Sequence, residues 1–149
     1  MIKDKILIGS MAGMIATLAK DLPNLFFYKL GLVNYLYSHL AASAHLAGKD
    51  IYTPVGYILG ILADIITGGA IGVVAILFLA RFGTDLWWYK GIIIGNIIWL
   101  FGLGVILNLG TIHLQSLEPS FRFSAWLDHQ AFGLVCVYLI RWWYKKTLQ

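Results

Sequence analysis

The chain has 149 residues, of which 60% are hydrophobic and only 12% charged, with a net charge of +4. Soluble domains carry roughly a quarter charged residues, so this balance excludes a disordered chain, a disulfide scaffold and an ordinary cytosolic enzyme. The 11 basic residues stand mostly singly beside apolar runs, which reads as membrane flanks and not as a nucleic-acid surface.

Four apolar stretches approach the roughly 20 residues needed to cross the hydrocarbon core. The expected fold is therefore all-α: one domain over residues 1–149 with four transmembrane helices, about 5–30, 55–82, 86–110 and 121–144, plus one short interfacial helix. Lys3 and Lys5 before an apolar run imitate a secretory signal, with Thr17-Leu18-Ala19 in the place of a cleavage site. Hydrophobicity resumes at Leu25-Phe26-Phe27, however, so the first helix is expected to stay uncleaved, with Pro23 as a kink point. Residues 33–48 are too short and mixed to span; Leu36, Leu40, Ala44 and Ala47 recur as on a helix lying along the interface.

The tetrapeptide Trp-Trp-Tyr-Lys occurs at 87–90 and at 142–145, two visits to one aromatic belt. Lys3, Lys5, Arg81, Lys90, Arg141, Lys145 and Lys146 flank one side, and Lys29, Lys49 and Arg122 the other. This bias places both termini in the cytoplasm.

The informative residues are the charges inside spans. Lys20, Asp21 and Asp64 each carry a mid-bilayer penalty of at least ~2.5–3.5 kcal/mol, so each needs a partner or a water-filled cavity. On the first helix Gly9, Ser10, Gly13, Thr17, Lys20, Asp21 and Asn24 share one arc of roughly 120°. On the second, Gly56, Gly60, Asp64, Gly68 and Gly72 recur every four residues, a ladder that lets another backbone approach closely. Lys20 lies about ten residues from the outer end of its helix and Asp64 about ten from the outer start of its own, so the two are expected to pair at equal depth. The fourth helix adds Arg122, Ala125, His129, Gly133 and Cys136 on one face, with His129 directed to the same site. Asp128 and Gln130 are expected nearer the outer interface, with Trp126 as an anchor.

Each feature has a plainer reading. The ion pair can be purely structural, fixing helix register. The glycine ladder can serve close packing within the monomer or an oligomer, and Asn96 and Asn108 interhelical hydrogen bonds alone. Cys136 is expected to be packing. No His-Glu-x-x-His or Cys-x-x-Cys element suggests zinc, and no Gly-x-Ser-x-Gly suggests a hydrolase, so no metal site and no catalytic residue is predicted. No cofactor is predicted either; the alternative is haem, which needs His129 paired with His113 or His39.

The order Gly-x-x-x-Gly, Lys20-Asp21-Leu22-Pro23-Asn24, an amphipathic outer segment, a glycine-rich second span and Lys90-Gly91 opening the third resembles a group of small four-helix membrane proteins of spore-forming Gram-positive bacteria. The resemblance implies an integral protein of the bacterial inner membrane and no activity. The leading functional expectation is a polar intramembrane site, Lys20 and Asp64 with Asp21, Asn24 and His129, that binds or passes a small solute, ion or proton. The alternatives are a non-catalytic subunit or assembly factor docking through the glycine ladder, as a homo-oligomer or in a membrane complex, and a haem or quinone anchor.

Overall fold

The computed structural model describes residues 4–106 and 117–148. It is all-α. Helix α1 spans Lys5–Lys29, α2 Tyr37–Ala42, α3 Pro54–Phe82, α4 Trp87–Trp99 and α5 Pro119–Leu148. A 3-10 turn, Gly48–Tyr52, precedes α3, and α4 continues as a wider π-helical segment, Leu100–Ile106. Four stretches, Lys5–Lys29, Pro54–Phe82, Trp87–Val105 and Pro119–Tyr144, are long and apolar enough to cross a bilayer, as expected. The expected end of the third span and the residues Asn108 and His113 lie outside the described residues.

Local chemistry fixes the helix ends. The Asp4 carboxylate accepts from the backbone N–H groups of Ile6 and Leu7 at 2.8 and 3.3 Å, opening α1, which then runs through Pro23 to Lys29. Thr53 caps α3 by accepting from the Gly56 N–H at 3.2 Å, with Pro54 at the first helical position. At the other end of α3 the Lys90 ammonium donates to the carbonyls of Phe82 and Gly83 at 2.8 and 2.9 Å, closing a tight turn onto α4. Lys5 over the Tyr144 ring and Arg141 over the Trp87 ring, at 5.7 and 5.9 Å, complete a basic and aromatic belt on that side.

Helices pack as two close pairs, α1 with α3 and α4 with α5, joined by α1 against α5. Glycine makes both seams. A Cβ on Gly9 would stand 2.6 Å from the Gly72 carbonyl oxygen, and Cβ atoms on Gly13, Gly68 and Gly72 would likewise run into the opposite helix. The second seam sets Gly91 and Gly95 of α4 against Gly133 and His129 of α5. Gly60 receives the backbone of Ser38, and Gly56 that of Asp50 and Ile51. The ladder of Gly56, Gly60, Gly68 and Gly72 is thus filled from within the chain.

That use of Gly60 changes the reading of the short helix. It covers only Tyr37–Ala42, and the buried set is Tyr37, His39, Ala42 and Ser43, whereas Ala44 and Ala47 of the expected apolar stripe are exposed. The connection between α1 and α3 folds back over α3 instead of only lying flat, because its aromatic and polar side chains find partners there.

The buried apolar residues form two groups. One holds Ile8, Ala12, Ala75, Ile76, Phe132 and Val137 among others; the second holds Val33, Tyr37, Leu103, Phe121 and Ala125. Between them, at the level of Lys20, lies a polar layer.

Candidate functional site

Lys20 stands nine residues before the last residue of α1, and Asp64 ten residues into α3. At 1.5 Å per residue both lie about 14–15 Å from the same end, near the middle of a hydrocarbon core of about 30 Å. The small residues around them let α1 and α3 touch, so the side chains meet. The Lys20 Nζ donates to Asp64 Oδ2 at 2.8 Å and to Asp21 Oδ1 at 2.7 Å. The lysine side chain is 6% exposed, Asp64 18% and Asp21 33%, so Asp21 forms the rim and Lys20 the floor.

An ammonium has three N–H groups. Two are spent on carboxylates, and the third side of Nζ is covered by the Tyr37 ring, whose centroid is 3.6 Å away. Tyr37 in turn donates its hydroxyl to Asp128 Oδ2 at 3.0 Å. Asp128, expected nearer the outer interface, is buried in the polar layer, 2% exposed. One ammonium thus serves, directly or through Tyr37, three carboxyl groups.

His129 lines one cavity with Lys20, Tyr37 and Asp64. Its Nδ1 lies 2.6 Å from the Ala125 carbonyl oxygen. A carbonyl only accepts, so Nδ1 carries the proton and Nε2 of the neutral ring holds a lone pair. The ring stands edge-on to Tyr37 with centroids 5.6 Å apart. Asn24 is near the site but binds backbone: its Oδ1 accepts from the Tyr37 N–H at 3.1 Å, and its Nδ2 donates to the Tyr35 carbonyl at 3.3 Å. Asn24 holds the α1–α3 connection in place and so positions the Tyr37 ring over Lys20.

The cavity that Lys20, Tyr37, Asp64 and His129 border is about 210 Å³, lined on its polar side also by Thr17 and Thr67 and elsewhere by Leu40, Ile71, Gly102, Leu103 and Phe132; Asp21, Asn24 and Asp128 are not part of its lining. Among the described residues no cluster of three or more His, Cys, Asp or Glu side chains suits a metal ion.

The other expected polar residues tie helices together. Asn96 Oδ1 accepts from Trp126 Nε1 at 2.9 Å and Gln130 Nε2 at 3.1 Å, so Trp126 and Gln130 bridge α5 to α4. Cys136 is fully buried in the apolar group, as expected. Sequence reasoning missed Tyr37, which reads as one more aromatic in an amphipathic segment; its role depends on a backbone reversal no local pattern encodes. It also missed the α4–α5 seam, although Gly91-x-x-x-Gly95 was a visible signal.

No family model matches the chain, and comparison with curated proteins and with solved structures finds no match. The functional reading therefore rests on the residues of the site.

Proposed function

We propose that this multi-pass membrane protein binds, and lets pass, a small solute, ion or proton at the Lys20–Asp64 centre. The observation that carries this reading is the sharing of one buried ammonium between Asp64, at 2.8 Å, and Asp21, at 2.7 Å, beside a cavity of about 210 Å³. In a layer of low dielectric, three carboxyl groups around one ammonium leave room for further positive charge, supplied by a proton or a bound cation. A cation arriving between Asp64 and Asp21 competes with the Lys20 ammonium for these carboxylates. Loss of the arriving charge restores the bridge between α1 and α3.

Lysine and arginine bias supports a cytoplasmic position for both ends, and the resemblance supports a bacterial inner membrane. The test is flux. In proteoliposomes under an imposed proton or cation gradient, the wild-type chain is expected to dissipate it, and Asp64→Asn to abolish the effect while retaining helical content. Equal flux from both proteins, or none from either, overturns the reading.

A further inference from the structure

The polar cavity has a neighbour. It adjoins an apolar groove of about 420 Å³ between α3 and α4, and the two share Thr67, Ile71 and Ile98 as wall residues. The groove arises because α3 packs on α1 and α4 on α5, leaving those two helices apart. Beyond the shared residues its wall is aliphatic and aromatic, with Val74, Phe78 and Ile94. The groove alone falls within the roughly 300–1,000 Å³ of small-molecule sites.

We propose that the site takes an amphiphilic amine from the bilayer, with the protonated amine head against Asp64 and the hydrocarbon tail in the α3–α4 groove. The proposal rests on the reading of Lys20–Asp64 as a binding site and names its ligand. Hydrogen-bond character at the inner end decides the head. The Lys20 N–H groups are already committed to Asp21, Asp64 and Tyr37, and the Tyr37 hydroxyl to Asp128. Asp64 accepts from Lys20 through Oδ2 and also meets the Asp21 carboxyl; among the described residues no N–H or O–H donor other than Lys20 is directed at Asp64, and none at His129 Nε2. A lining rich in free acceptors selects a head rich in donors. The wall shared with the groove, Thr67, Ile71 and Ile98, decides the tail.

The test uses the full chain in nanodiscs of phosphatidylcholine, which lacks primary amines, with dodecylamine, dodecanol and ethylamine as probes and empty discs as background. Saturable dodecylamine binding above the background is expected, with no saturable dodecanol binding. Asp64→Asn is expected to weaken dodecylamine about tenfold, the equivalent of one charge-assisted hydrogen bond. Ile94→Trp, which fills the groove away from the charges, is expected to weaken dodecylamine and leave ethylamine unchanged. Should that variant not fold, the wild-type series decides. Affinity above background that fails to rise from ethylamine to dodecylamine overturns the groove as a tail site, while Asp64-dependent ethylamine binding leaves the functional reading standing. Dodecanol binding as well as dodecylamine overturns the amine head. Absence of amine binding with Asp64-dependent proton flux retained overturns this proposal alone, and loss of both removes the site as well.

Discussion

The ring centroid of Tyr37 lies 3.6 Å from the Lys20 ammonium, and the same side chain donates to Asp128 at 3.0 Å. One aromatic residue on a six-residue helix thereby couples charges on α1 and α5. Tyr37→Phe keeps the ring over the ammonium but strands the Asp128 carboxyl, and is expected to destabilise by about 1–3 kcal/mol. Tyr37→Leu removes the cation–π contact as well and is expected to destabilise further, while Tyr37→Phe combined with Asp128→Leu recovers most of the first loss. Unfolding by sodium dodecyl sulfate in mixed micelles measures all three.

The α1–α3 seam is the second testable feature. An added methyl at Gly13 or Gly72 meets backbone of the opposite helix, which cannot swing aside as a flexible side chain would. Each Gly→Ala change there is expected to lower stability by more than about 2 kcal/mol and to separate Lys20 from Asp64. Gly102→Ala is the control: a Cβ at that position has nothing within 4 Å, and a change within about 0.5 kcal/mol is expected.

His39 lies outside the four spans, fully buried, with its ring 4.9 Å from Tyr52 and 4.8 Å from Tyr57 between centroids. Its Nδ1 accepts from the Leu36 N–H at 3.2 Å, so protonation there would remove a backbone partner. Burial lowers its pKa below the ordinary 6.5. The unfolded chain therefore binds more protons than the folded one in that window, and stability falls as pH drops below about 6.5. Melting temperature is expected to decline from about pH 7 to pH 5 more steeply in the wild type than in His39→Gln. Parallel curves would show that His39 does not contribute.

Much of this was legible from composition and spacing. The four spans, the α1 stripe through Gly9, Gly13, Thr17, Lys20 and Asn24, and the meeting of Lys20 with Asp64 all follow from helical period and the penalty on buried charge. Asp21 was legible as a charge in need of a partner, though not as the second claimant on the same ammonium. The position of Asp128 was not legible, because a carboxyl two turns inside a helix end looks interfacial until a partner reaches it. That partner, Tyr37, arrives through the backbone reversal that Asn24 holds. A tertiary hydrogen bond from a six-residue connecting helix leaves no periodic trace in sequence.

The most direct measurement is a double-mutant cycle on Lys20 and Asp64, read as unfolding free energy in mixed micelles. Lys20→Leu strands two carboxylates and is expected to destabilise by about 3–5 kcal/mol, and Lys20→Leu with Asp64→Leu by less than the single change. A coupling of about 1–3 kcal/mol supports the shared centre. Strictly additive losses would mean that the amine at 20 and the carboxylate at 64 do not meet, contradicting the account at its root.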